Sequence, residues 1–141
     1  MVVADELRRG ARSEKYLQDL DTGWLGVPKE PPTGPEHLAG VQRIRRAITG
    51  STRDYGDSLG EAETIYYIET CAPGSMLVTD DRAALDMARN REIRAYNTPW
   101  VLGEPYRAGQ LTCPEPYDLM LAMNDNGRHV RVPSDHARIC P

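Results

Sequence analysis

Residues 58–82 read SLGEAETIYYIETCAPGSMLVTDDR. The first half of this stretch is typical of a helix, because Glu61, Ile65 and Ile68 recur at helical spacing and form one stripe that should face a sheet. Glu63 lies two positions after Glu61 and therefore points to nearly the opposite side of the helix. We expect the Glu61 carboxylate to lean towards the interior and the Glu63 carboxylate towards solvent.

The second half of this stretch predicts a short buried strand that ends in two acids. A Pro-Gly pair breaks the helix, and the apolar residues 76–78 lead to Asp80 and Asp81. In α/β proteins, ligands bind at the carboxyl ends of parallel strands. Asp80, Asp81 and the inward Glu61 would therefore form a pocket of carboxylates suited to a hard divalent cation.

The same residues also have a purely structural interpretation. Ser58 followed three positions later by Glu61 fits a capping box, and Thr79 or Asp80 could cap the helix that begins near Arg82. Capping residues are common and metal sites are not, so local chemistry alone favours the caps.

A second strand is expected after the acidic strand end. The segment IRAY at residues 93–96 predicts a parallel strand, which makes a βαβ unit with the first one. Asn97 and Thr98 should then emerge at the same edge of the sheet as Asp80. Thr98 before Pro99 also fits a helix N-cap.

An ordered set of acidic motifs resembles a known family. The segment LGEAE at 59–63, the strand ending TDD at 79–81 and the Arg/Ala-rich helix RAALDMARNREI at 82–93 look like the second half of a PIN domain. This is the fold of many metal-dependent ribonucleases, including VapC-type toxins. The segment VVADELRRGARS at 2–13 is similar to the region around that family's second acidic position, with Glu6 in the matching place.

The resemblance implies a fold class and a domain organisation. It covers most of the chain, including TPWVLGEPYRAGQL at 98–111, and implies a single PIN-like domain over residues 1–141. The expected fold is α/β, a short central parallel sheet flanked by helices in an α/β/α arrangement. PIN domains begin with a strand that carries the first catalytic Asp, and the chain that starts at Met1 lacks this strand. Either the sequence is truncated, or another chain supplies the strand, or the site is incomplete.

The resemblance also implies an activity, a Mg²⁺- or Mn²⁺-dependent endoribonuclease that is the toxin of a toxin–antitoxin pair. Glu6, Glu61, Asp80 and Asp81 would be catalytic, with Glu6, Glu61 and Asp81 holding the metal and Asp80 as a cap or second ligand. The implied partners are an RNA substrate, an antitoxin protein and a second copy of the chain in a homodimer. The alternative is a catalytically incomplete PIN-like module that binds a protein.

Arginines near the helix that Pro35 begins are candidate contacts for RNA or for an acidic partner. Arg43 and Arg46 share one face of this helix, and Arg53 follows it. The alternative is a solvated helix surface, which is the commoner use of such charges.

Composition bounds the class of protein. A length of 141 residues, 40% of them hydrophobic, suffices for one domain with its own core, and the net charge of −4 argues against a broad basic groove for nucleic acid. Cys71, Cys113 and Cys140 are odd in number and contain no C-x-x-C pair, which fits free thiols in a reducing cytoplasm. His129, His136 and Cys140 match no usual zinc spacing. No apolar run approaches the length needed to cross a membrane.

Overall fold

The structure is a computed structural model that describes Arg9 and residues 29–50 and 58–141. Within these residues the chain is a mixed α/β protein with five α-helices and a two-stranded parallel sheet, which confirms the predicted α/β class. Its internal contacts divide it into two compact units, Met1–Pro73 and Gly74–Pro141. No helix in the described ranges has the length and hydropathy required to span a bilayer.

The first unit is built on two helices that pack against each other, α1 (Pro35–Thr49) and α2 (Leu59–Cys71). Pro35 begins α1 because the first helical position needs no backbone N–H donor and suits the fixed φ of proline. Apolar side chains at helical spacing are buried on both helices: Val41, Ile44, Ile65 and Ile68. The predicted burial of Ile65 and Ile68 on α2 is therefore confirmed, and the expectation that this stripe faces a sheet stays a prediction.

α1 and α2 approach closely where Gly40 meets Tyr66. A Cβ atom on Gly40 would lie 2.1 Å from Cε2 of Tyr66, so only glycine leaves room for this ring. The Tyr66 ring meets the imidazole of His37 edge-on, with a centroid distance of 4.8 Å and an interplanar angle of 83°. The Tyr66 ring of α2 thus packs against Gly40 and His37, which are one helical turn apart on α1.

The second unit begins with a βαβ arrangement of β1 (Met76–Val78), α3 (Arg82–Arg89) and β2 (Arg94–Tyr96). The strands pair in parallel, with Leu77 opposite Ala95, and both of these side chains are buried. Met76 and Val78 are 47% and 53% exposed, so the predicted burial of this strand holds for Leu77 and was wrong for its two neighbours. Successive side chains of a strand point to opposite faces, and within the described part of the chain the covered face is the one that carries Leu77.

α3 packs against β2 through small apolar side chains. Ala84 and Ala88 are fully buried and Leu85 is nearly so, while Asp86 is exposed. These residues recur at spacings of three and four, which places the small apolar side chains on the face that contacts β2.

The rest of the second unit is helical and surrounds its own apolar cluster. α4 (Thr98–Arg107) packs on α5 (Glu115–Asp125), and a 3₁₀ turn, His136–Arg138, lies in the tail. Met120 of α5 is completely buried against three residues that follow the helix: Val130, Ile139 and Cys140. The tail is thus held to α5 by a continuous apolar cluster.

Candidate functional site

The carboxyl end of β1 and the start of α4 are joined by one acidic side chain. The backbone N–H of Thr98 donates to Oδ1 of Asp80 at 2.9 Å, and the Thr98 hydroxyl donates to Oδ2 of Asp80 at 2.5 Å. Asn97 caps α4, since its Oδ1 accepts from the Trp100 N–H at 3.2 Å. The prediction that Asn97 and Thr98 reach the same edge as Asp80 is confirmed, and the prediction that Thr98 is the cap was wrong.

The neighbouring acid, Asp81, caps α3. Its Oδ1 accepts from the Ala84 N–H at 2.8 Å, and its own N–H donates to Oγ1 of Thr79 at 3.2 Å. The helix begins at Arg82, so the carboxylate of the residue directly before it reaches the orphan amide of the first turn. The expectation that Thr79 or Asp80 caps this helix was therefore wrong.

Glu61 lies in the first turn of α2 and is half-buried. Glu63 is half-buried as well, so burial does not separate the two carboxylates as predicted. Ser58 precedes α2 with a left-handed φ of 54°, and its side chain makes no cap hydrogen bond, so the predicted capping box was wrong. An N-cap needs an extended backbone to aim its oxygen at the first-turn amides, and Ser58 lacks that conformation.

The four predicted catalytic acids are placed only in part. Asp80 and Asp81 stand together at one strand end of the second unit, and Glu61 belongs to the first unit. Glu6 lies outside the described residues. Among residues 29–50 and 58–141, no group of three His, Cys, Asp or Glu side chains is placed to hold a metal ion. The predicted metal set of Glu6, Glu61 and Asp81 stays a prediction.

The donor chemistry at the strand end suits a hard cation. Carboxylate oxygens are the ligands that Mg²⁺ prefers. Asp80 is exposed, and each of its oxygens accepts one hydrogen bond from Thr98. A carboxylate oxygen has two acceptor sites, so each Asp80 oxygen retains one.

Two of the three predicted contact arginines lie on the surface of α1. Arg43 and Arg46 are exposed, and Arg53 lies outside the described residues. Arg45, between the first two, is only 7% exposed, and its Nη1 donates to Oε1 of Gln42 at 3.3 Å. Arg43 and Arg46 are therefore accessible, and their contact with RNA or a partner stays a prediction.

An aromatic stack that was not predicted from the sequence lies beside the strand end. The ring centroids of Tyr96 and Trp100 are 3.7 Å apart, and the interplanar angle is 22°. The guanidinium carbon of Arg107 lies 5.6 Å from the Trp100 ring centroid. Glu104 forms an ion pair with Arg107 at 2.5 Å. The signal in the sequence was the spacing, because Trp100 follows Tyr96 by four residues and Arg107 follows Trp100 by seven.

A cavity of the first unit was also missed. It has a volume of about 340 Å³ and is lined in part by His37, Gln42, Glu30 and Glu63. His37 is 7% exposed, and its Nε2 has no hydrogen-bond partner among the residues that the structure describes. The volume is at the lower end of the range for small-molecule sites.

Two thiols and an imidazole also lie close together, which was not predicted from the sequence. Sγ of Cys113 lies 3.3 Å from Nδ1 of His136. Burial raises the pKa of the Cys140 thiol, and a hydrogen bond and charge repulsion from Cys113 act in the same direction, so that together they bring it to about 11. The residues come from positions up to 27 apart in the sequence, which no local motif reveals.

Comparisons with protein-family models, with curated proteins and with solved structures found no match for this chain.

Proposed function

We propose that the chain is a PIN-like, Mg²⁺- or Mn²⁺-dependent endoribonuclease and the toxin of a toxin–antitoxin pair. The observation that carries the proposal is the pair of adjacent acids, Asp80 and Asp81, at the carboxyl end of β1 in a parallel βαβ unit. Ligands of α/β proteins bind at that end of parallel strands. The motif resemblance supplies the family, and the described geometry is compatible with it.

Hydrogen bonds hold both acids of the strand end in place before any ligand binds. Thr98 fixes the exposed Asp80 carboxylate, and the Ala84 N–H fixes Oδ1 of Asp81. Side chains that are locked by such bonds lose less conformational freedom when they bind a ligand. Asp80 and Asp81 therefore have the order that a metal site requires.

Glu6, Glu61 and Asp81 would hold the cation, and Asp80 would act as a second ligand beside Asp81. A bound Mg²⁺ or Mn²⁺ supplies an activated water and neutralises charge on the phosphodiester. Several carboxylates that converge repel each other, which a cation relieves. Arg43, Arg46 and Arg53 would contact RNA phosphates or an acidic antitoxin.

A protein-binding module without catalysis is the second candidate, and specific observations favour it. Capping of α3 and the link to α4 already give Asp81 and Asp80 structural roles. Met76 and Val78 on β1 are about half exposed, and Leu119 and Leu121 on α5 are 45% and 41% exposed. Exposed apolar side chains of this kind suit contact with an antitoxin or a second copy of the chain.

Metal-dependent cleavage of RNA decides between the two candidates. We would compare the 141-residue chain with a form that carries the family's first acidic strand, on a labelled RNA with Mg²⁺, Mn²⁺ or a chelator. In the longer form we expect metal-dependent cleavage. We expect the cleavage rate to fall at least about 100-fold in Glu61→Gln and in Asp81→Asn, while both variants stay folded.

Asp86→Asn is the matched control, because Asp86 is an exposed acid of α3 away from the strand end. Equal cleavage in chelator, or in both Glu61→Gln and Asp81→Asn, would end the nuclease proposal. Robust cleavage by the 141-residue chain would show that no further acid is needed. A folded longer form with no metal-dependent cleavage would favour the binding module.

A further inference from the structure

Three side chains from separate parts of the second unit meet beside α5. Cys113 stands just before α5, and its Sγ lies 3.3 Å from Nδ1 of His136 in the tail. The Cys113 thiol is also close enough to Cys140 to raise the pKa of the Cys140 thiol. His136 and Cys140 are held together by the tail itself, because the Cys140 N–H donates to the His136 carbonyl oxygen at 3.0 Å. Cys113 is thus the thiol that contacts both.

The two cysteines differ in their access to solvent. Cys113 is exposed, and Cys140 is only 8% exposed within the apolar cluster of Met120. Burial keeps Cys140 in its neutral thiol form at neutral pH, since its pKa is raised to about 11. A soluble oxidant therefore reaches Cys113 first, and the nearby imidazole can accept its proton.

We propose that Cys113 and Cys140 are a reversible redox pair, in which a peroxide oxidises Cys113 and Cys140 then closes a disulfide, with His136 as the base. The proposal is independent of any nuclease activity. It assigns to the tail a modification site that fastens residues 136–141 to the start of α5.

The proposed oxidation takes place in two steps. Nδ1 of His136 takes the Cys113 proton, the thiolate sulfur attacks one peroxide oxygen, and the O–O bond breaks. The departing hydroxide takes the proton from His136 and leaves as water, so Cys113 becomes a sulfenic acid. The Cys140 sulfur then attacks the Cys113 sulfur, the S–O bond breaks, and the hydroxide leaves with the Cys140 proton as a second water. The two sulfurs lose two electrons, and the peroxide gains them.

The disulfide would strengthen the attachment of the tail to the helices of the second unit, which other contacts already provide. The tail contributes Val130, Ile139 and Cys140 to the cluster around Met120. In addition, the Tyr106 hydroxyl of α4 donates to the carbonyl oxygen of Pro141 at 3.3 Å. A disulfide that closes such a loop restricts the unfolded chain and raises thermal stability.

Mass spectrometry of the full chain tests the proposed bond. Reduced protein would be treated with hydrogen peroxide, blocked with a maleimide and digested with trypsin without reductant. Trypsin cuts after Arg107, Arg128 and Arg138, so Cys113 and Cys140 lie in separate peptides, 108–128 and 139–141. We expect a linked peptide pair, lighter than the sum of the two by two hydrogen atoms, that a phosphine reductant separates. We also expect the melting temperature to rise by more than about 5 °C on oxidation.

Matched variants separate the roles. Cys71→Ser should leave the linked pair unchanged, because Cys71 is an exposed thiol of α2 in the first unit. Cys113→Ser and Cys140→Ser should each abolish it. His136→Asn should slow its formation at least about tenfold at fixed pH, since the thiol loses its proton acceptor. His129→Asn, an exposed histidine of the same tail, is the control and should not slow it.

Some outcomes would overturn the inference. A disulfide that joins Cys71 to either other cysteine, or oxidation of Cys113 to sulfinic acid with Cys140 still alkylable, would rule out the pair. An equal rate in His136→Asn and the parent chain would remove His136 from the mechanism. Circular dichroism of each reduced variant shows whether it is folded, and the parent chain alone already decides whether the bond forms.

Discussion

Asp80 accepts two hydrogen bonds from Thr98, so one carboxylate ties the end of β1 to the first residue of α4. The pair is 18 residues apart in sequence and spans the whole α3 and β2 segment. Each Asp80 oxygen receives a different donor, the backbone N–H or the hydroxyl. The candidate strand end is therefore held together by the same acid that would help to bind a ligand there.

Thr98→Val removes the hydroxyl donor and keeps the shape and the backbone N–H. We expect the free energy of unfolding to fall by about 1 kcal/mol, because a bond to a charged but exposed acceptor contributes about that much. Urea denaturation measures the change, and a double-mutant cycle with Asp80→Ala should give a coupling of at least about 0.5 kcal/mol. Additive effects in that cycle would contradict the link. Asp86→Asn, at an exposed i,i+4 pair with Arg82, should change stability by less than about 0.5 kcal/mol.

Asp81→Ala and Asp81→Asn should differ in stability because Asp81 is the N-cap of α3. Alanine cannot accept the Ala84 N–H, so we expect a loss of about 1 kcal/mol, whereas asparagine caps nearly as well as aspartate. Thermal and urea unfolding of both variants measure this. The asparagine variant then separates the cap from metal chemistry, since it keeps the cap and removes the charge. Equal destabilisation by both substitutions would show that the cap is not the stabilising feature.

Gly40→Ala should destabilise the first unit even though alanine favours helices. The added Cβ would lie 2.1 Å from the Tyr66 ring, which must move and lose its contact with His37. We expect a net loss of about 1–3 kcal/mol, against a gain of about 1 kcal/mol from helix propensity. In a Tyr66→Ala background the clash is absent, so Gly40→Ala should stabilise the protein there. The same sign in both backgrounds would contradict the packing that we describe.

Glu115 should make stability depend on pH. Its Oε2 accepts from the Thr112 N–H at 2.5 Å and from the Thr112 hydroxyl at 2.8 Å, and these bonds lower its pKa from 4.5. The folded state therefore favours the carboxylate. The resulting stability is fully present above the unfolded pKa and is lost as pH falls through the lower folded pKa.

Glu115→Gln should accordingly lower the free energy of unfolding at neutral pH, and the difference from the parent chain should disappear as pH falls through the lowered pKa of Glu115 in the folded state. Urea denaturation at a series of pH values measures this difference. Thr112→Ser keeps both donors and should preserve the pH profile. A difference between Glu115→Gln and the parent chain that is constant with pH would show that the carboxylate charge has no part in it.

Local patterns predicted much of the fold. Spacings of three and four located the buried side chains Ile65 and Ile68 of α2, and the apolar run at 76–78 followed by TDD located a strand and its acidic end. These features depend on neighbours within about one helical turn or a few strand positions, which a single sequence displays. The meeting of Thr98 with Asp80 was predictable as well, because parallel strands of a βαβ unit end at the same edge.

The sequence by itself determined the order of elements in the described chain and the position of two acids after β1. Only the tertiary structure decided which acid does what, since the backbone of the turn before α3 aims Asp81 at the helix and leaves Asp80 for Thr98. It also brought Cys113 to His136 and Cys140 through packing on Met120, and set Gly40 against Tyr66. Such meetings depend on side-chain directions and on contacts between distant segments, which spacing along the chain does not specify.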